Sequence, residues 1–221
     1  SSLTHAVLFT GILGLDHGRG KLGNELDRDR IFTAGEKCVS DERNSMYDVI
    51  IVGGSFAGLA VATQLQGYRV LLLDRKPIGS GQTSACGTIL QVLRYWQLMD
   101  SLCQTHDAFM LHTMWRNLQV RSPYLWCTFD YERFCRTLFV RSRAEFVQAR
   151  VQGWDGSQVQ TNKGSYAGRY VVDASGWRAV LASVVVPGYI RGQGMNLGIE
   201  TICALPDDNP VQRNALHFWY D

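Results

Sequence analysis

The first sustained apolar run bounded by glycine is Tyr47–Val52, followed by an Ala- and Leu-rich stretch, Phe56–Leu65, and a second apolar run, Tyr68–Asp74. Short continuous apolar runs suit strands covered on both faces, as in a parallel sheet, and the segment between them suits a helix. Strand, helix and strand within residues 47–74 form a compact βαβ unit, a crossover that is right-handed in nearly all folds. Downstream, Arg75–Thr88 is a loop dense in Gly, Ser and Thr that leads into a helix predicted over Ile89–Met99. Phe109–Asp130 carries β-formers and aromatics around Pro123, which predicts a hairpin, and Tyr131–Val140 reads as a helix. "AEFVQARV" and "QVQTNKGSYAGRYVVDASG" predict short strands, with turns at Gly153, Gly156 and Gly164 and a buried strand at Tyr170–Asp173. "MNLGIETICAL" and "ALHFWYD" predict strands of a further sheet, whereas residues 1–46 show no periodicity and read as a loosely ordered extension.

Composition narrows the classes. Of 221 residues, 46% are apolar and 19% charged, with a formal net charge of +2. That balance describes a soluble globular protein with no electrostatic case for nucleic acid. Cys38, Cys86, Cys103, Cys127, Cys135 and Cys203 form no C-x-x-C pair, so they are expected to be reduced and intracellular. The five histidines show no metal-ligand spacing, and no metal is expected. The apolar run Ala6–Leu15 is too short and interrupted to span a bilayer and lacks the basic flank of a secretory signal. The expected address is cytoplasmic, with a membrane surface as a further setting.

Candidate chemistry concentrates at the first turn, Gly53-Gly54-Ser55-Phe56-Ala57-Gly58. One reading makes Ser55 the nucleophile of a G-x-S-x-G elbow, with Asp173 and His217 following in hydrolase order. Against it, Ala57 replaces the last glycine, and no H-G-G oxyanion segment lies upstream. A second reading makes the turn a phosphate cradle. Gly53 then permits the turn, Gly58 lets the helix approach the strand, and amides at the positive helix end meet the phosphates. Asp74, 21 residues after Gly53, stands where an acid accepts hydrogen bonds from ribose hydroxyls. Ser55, at the second glycine position, adds a hydroxyl that either is tolerated or bonds a phosphate oxygen. A third reading gives the glycines a packing role only.

Tyr47–Asp74 resembles the N-terminal FAD-binding unit of flavoproteins of the p-hydroxybenzoate hydroxylase and geranylgeranyl reductase type. "TSACGT", Thr83–Thr88, resembles the Cys-Gly loop of the reductase branch, and "YVVDASGWRAVLA", Tyr170–Ala182, is similar to the aspartate-glycine motif of this superfamily. The resemblance implies an α/β fold: a Rossmann-like FAD-binding domain with a central parallel sheet and an inserted hairpin over 47–185, then the start of a truncated, β-rich substrate domain over 186–221. It implies that Gly53, Gly54, Ser55, Phe56, Ala57 and Gly58 line the pyrophosphate and that Asp74 and Arg75 hold the adenosine ribose. Cys86, Gly87 and Thr88 would border the isoalloxazine, with Cys86 the candidate proton donor, although an isolated cysteine is also commonly a small buried thiol. The backbone of Val151 would read the adenine, and Asp173 would help hold pyrophosphate and ribose. Tyr131 stands where many relatives carry a cofactor-touching arginine, and for Trp177 and Arg178 packing and surface roles weigh more than a place beside the flavin. A third motif, a Gly-Asp pair opening a helix, does not occur before Asp221, which implies the N-terminal portion of a longer flavoprotein.

The function expected is an FAD-dependent oxidoreductase that is geranylgeranyl reductase-like and reduces an isoprenoid or other apolar small molecule by flavin hydride transfer. NAD(P)H is the candidate electron donor. The alternatives are an FAD-dependent monooxygenase, a Ser55 hydrolase and a non-catalytic fragment.

Overall fold

The computed structural model describes residues 6–7, 46–82, 86–190, 202–203 and 214–220. In chain order the elements are β1 (Ala6–Val7), β2 (Tyr47–Val52), α1 (Phe56–Gln64), β3 (Val70–Asp74), β4 (Gly87–Ile89), α2 (Leu90–Tyr95), β5 (Leu102–Thr113), β6 (Asn117–Phe129), α3 (Tyr131–Ser142), β7 (Glu145–Gln148), β8 (Val151–Trp154), β9 (Gln158–Thr161), β10 (Gly164–Asp173), α4 (Ala182–Val185), β11 (Ile202–Cys203) and β12 (Ala215–Tyr220). One sheet has the order β7-β3-β2-β10-β9-β8, its first four strands parallel and β9 and β8 antiparallel. A second has the order β12-β5-β6-β4, and β1 pairs with β11.

The apolar runs become the centre of the first sheet because both of its faces are covered. Ile50, Ile51, Leu71, Leu72 and Leu73 are completely buried. Successive side chains point to opposite faces, and the core divides accordingly. Val49, Ile51 and Leu72 join one cluster with Leu59 of α1 and Phe134, Cys135 and Leu138 of α3. Ile50, Val52, Leu71 and Leu73 join the other with Val159 and Leu181. The fold is therefore α/β and Rossmann-like, with a central parallel sheet and a second, four-stranded, antiparallel-rich sheet.

Several expectations need correction. The helix predicted over Ile89–Met99 is only Leu90–Tyr95, because Gln97 takes a left-handed conformation (φ 54°) and closes a Schellman cap, with Gln97 N–H bonding Arg94 and Leu98 N–H bonding Leu93. A 3₁₀ turn at Met99–Ser101 follows. The hairpin starts earlier than predicted, at Leu102, and reverses at Met114–Arg116. Pro123 lies in a bulge between the pairs His106–Trp126 and Ala108–Arg121, where a residue without an N–H costs the ladder least. Gly153 lies inside β8 rather than at a turn, and Tyr170–Asp173 is the partly exposed end of the longer β10. Of residues 1–46, Ala6 and Val7 form a strand and Met46 is described; of "MNLGIETICAL" only Ile202–Cys203 is described. The remainder of both segments lies outside the described residues.

Candidate cofactor site

The parallel strands β3, β2 and β10 end side by side, with Val52 in register with both Leu73 and Asp173. Ligands of open α/β sheets bind at carboxyl ends of this kind. The Gly53 amide donates to the Leu73 carbonyl (2.8 Å), and the Ala174 amide donates to the Val52 carbonyl (2.8 Å), so the turns after β2 and β10 are pinned to neighbouring strands. Gly53 has φ 114°, and a Cβ there would lie 2.2 Å from the Ala174 oxygen. A Cβ on Gly58 would lie 1.9 Å from the Gly53 oxygen. Both positions exclude any side chain, and the start of α1 is drawn onto the strand end.

Ser55 is the N-cap of α1 in extended backbone (φ −108°), and its side chain makes no capping bond. No acidic residue occupies the first turn, and the first helical bond is Leu59 N–H to the Ser55 carbonyl. The amides of Phe56, Ala57 and Gly58 thus lead a positive helix end with no carboxylate or cap of their own, the arrangement that suits an anion. The Ser55 hydroxyl accepts a hydrogen bond from the Tyr131 hydroxyl across the site (3.1 Å).

Beside Gly53–Ser55, the residues that lead into α1, lies a cavity of about 610 Å³. Its walls include Gly53–Ser55, the segment Asp74–Pro77 at the end of β3, Ala149–Gln152 running from the β7–β8 connection into β8, and Ala174–Arg178 after β10. Arg75, Lys76, Arg150 and Arg178 surround it, a positive setting for a diphosphate. The Asp74 carboxylate accepts from the Gly54 amide (2.7 Å) and the Lys76 amide (2.8 Å), which ties the two turns together. Arg178 stacks on Trp177 at the rim. Val151 lines the same cavity.

Asp173 stands beside this cavity with its carboxylate committed to its own loop. It accepts from the Ser175 amide (3.0 Å) and hydroxyl (2.5 Å) and from the Leu181 and Ala182 amides (2.7 and 2.8 Å). Partial burial raises its pKa, but the bonds from Ser175, Ala182 and Leu181 outweigh that and hold it below the ordinary aspartate value. In this structure the Asp173 carboxylate shapes loop 174–182.

The structure gathers Gly53, Gly54, Ser55, Asp74, Arg75 and Val151 around one cavity and places Phe56, Ala57 and Gly58 in the helix turn at its edge. Cys86, Gly87 and Thr88 do not line it. Cys86 is 5% exposed, lies in the main core cluster at φ 48°, and its carbonyl accepts from the Phe129 amide. Gly87 and Thr88 pair with β6, and Thr83–Ala85 of the same motif lie outside the described residues. Lys76, Arg150 and Gln152 are cavity residues that sequence reasoning missed. Lys76 follows Arg75 just beyond a predicted strand, whereas Arg150 and Gln152, within and beside the predicted strand "AEFVQARV", carried no signal of their own.

The hydrolase geometry does not assemble. Ser55 lacks the strained backbone of a nucleophile elbow. Asp173 is bound to its own loop, and His217 pairs with His112 in the other sheet (2.8 Å). Among the described residues no cluster could hold a metal, and no helix is long and apolar enough to cross a membrane.

Residues 48–127 match the family model of the DAO FAD dependent oxidoreductases. No curated protein matches the chain. Among solved structures, the fold is shared with a tetrameric 2-methyl-3-hydroxypyridine-5-carboxylic acid oxygenase at 18% identity and a TM-score of 0.51, over 64% of this chain and 42% of that one. The myxobacterial chondrochloren halogenase CndH is similar at 18% identity and TM-score 0.48, over 61% and 38%. The flavin-dependent brominase Bmp2 is similar at 15% identity and TM-score 0.48, over 59% and 38%. The chain spans about two fifths of the length of these structures.

Proposed function

We propose that this chain is the dinucleotide-binding part of an FAD-dependent oxidoreductase and that its cavity takes the adenosine diphosphate half of FAD. The observation that carries this is the side-chain-free closure of Gly53 and Gly58 at an uncapped helix start, next to a cation-lined cavity that Gly53, Gly54 and Ser55 line. The match of residues 48–127 supports the same reading. FAD supplies the redox chemistry when bound, and the protein supplies position and electrostatics. The Phe56–Gly58 amides and the nearby guanidinium and ammonium groups would neutralise the diphosphate. Asp74 would exchange its amide contacts for ribose hydroxyls, and the Val151 strand would flank the adenine.

Within that class we infer a geranylgeranyl reductase-like activity on an isoprenoid or another apolar substrate, with NAD(P)H as donor. It rests on the resemblance around Cys86, Gly87 and Thr88. An FAD-dependent monooxygenase is the second reading, because the fold is shared with an oxygenase. A membrane-surface setting fits the exposed Met114 and Trp115 at the hairpin tip. The purified chain, reconstituted with FAD and desalted, should show the absorbance of bound oxidised flavin; a colourless protein would contradict the proposal. NADPH-driven oxygen uptake by the flavin-loaded protein would favour the monooxygenase, and anaerobic reduction of an isoprenoid double bond the reductase.

A further inference from the structure

Ser55 begins a nine-residue helix, where a serine side chain ordinarily turns back to accept an amide of the first turn. Here it does not. Its oxygen instead accepts from the Tyr131 hydroxyl, 76 residues away. The Tyr131 ring is rigidly placed: it is 8% exposed, packs edge-on against Phe56 (5.3 Å) and opens α3 directly after Asp130, whose carboxylate accepts from the Arg133 amide. A hydroxyl has one hydrogen and two acceptor sites. With the Tyr131 hydroxyl as the donor of this bond, Ser55 keeps its own hydrogen to donate, and both residues line the cavity.

We propose that Tyr131 is a positioning residue that keeps Ser55 from capping α1, leaving the first-turn amides and the serine proton together for a phosphate oxygen of the dinucleotide. This rests on the FAD reading above. Without the tyrosine hydroxyl, Ser55 is released to cap its own helix and compete with the phosphate for the same amides. The chain of donors from tyrosine to serine to phosphate is also polarised in one direction, which strengthens each bond.

Titration of the 221-residue chain with FAD, followed by flavin fluorescence quenching, tests the idea in wild type, Tyr131→Phe, Ser55→Gly and the double variant. Tyr131→Phe should weaken FAD binding by about three- to tenfold, the value of one lost hydrogen bond. Its thermal midpoint without FAD should not fall, because the released serine caps α1. In the Ser55→Gly background the same change should alter affinity less than about twofold, since no serine remains to orient. Equal losses in both backgrounds, or a lowered thermal midpoint with unchanged affinity, would overturn the positioning role. Wild-type protein that binds no FAD would instead overturn the FAD reading and this inference with it.

Discussion

The turn after β2 works because two residues have no side chain. Gly58 tolerates no Cβ, since the nearest atom would be the Gly53 carbonyl oxygen at 1.9 Å, a backbone atom fixed by the strand. Gly58→Ala should therefore push α1 off the strand end, lowering stability by about 2–3 kcal/mol in urea unfolding and abolishing FAD retention. Asp173 makes a different kind of prediction. Its carboxylate holds four donors, and its pKa is depressed in the folded state. A depressed pKa stabilises the fold above the unfolded value of about 3.9, and that stability is lost as pH falls through the folded value. Between about pH 5 and pH 3, wild type should lose more stability than Asp173→Asn, and at pH 7 the variant should be less stable by about 1–3 kcal/mol because amides of loop 174–182 lose their acceptor. Urea midpoints at the two pH values measure both effects. Gly53 and both aspartates were legible in the sequence because each sits at the end of a strand, and Gly58 because it completes the glycine pattern where the helix begins. The loop-holding role of Asp173 was not, since it depends on where the Leu181 and Ala182 amides return.

At the scale of elements, the βαβ unit was legible because its signal is local: apolar runs bounded by glycine, with an acid at the end of the second. β2 and β3 fall where the pattern places them, and the alternation of their side chains feeds both core clusters. Leu72, completely buried in β3, faces Leu59 and the α3 side chains. Leu72→Ala should cost about 2–5 kcal/mol by the loss of buried apolar volume, read as a lower thermal midpoint with the fold retained in circular dichroism. The second sheet was less legible. Its hairpin turns at Met114–Arg116 without an Asn-Gly or Asp-Gly signal, and the more visible Pro123 marks a bulge inside a strand. α2 ends early because Gln97 adopts a conformation usually left to glycine, and Arg141 of α3 covers the exposed carbonyls of Trp96 and Gln97. That partner is 44 residues away from Gln97 and invisible to local reasoning.

For the whole molecule, the site is a convergence. Residues from four separate stretches, Gly53–Ser55, Asp74–Pro77, Ala149–Gln152 and Ala174–Arg178, meet at one end of one sheet. Pattern reasoning named a member of each stretch or its neighbour, but the cations Lys76 and Arg150 became visible only once the strands were ordered side by side. The arrangement makes a specific claim about which half of the cofactor this chain grips. The proposed occupant is the adenosine diphosphate half, since Arg75, Lys76, Arg150 and Arg178 line the cavity, whereas Cys86, Gly87 and Thr88 lie elsewhere. Competition binding on the 221-residue chain tests that claim most directly. ADP should displace FAD at a single shared site while FMN, which lacks the adenosine diphosphate, should not; displacement by FMN with ADP inert would contradict it.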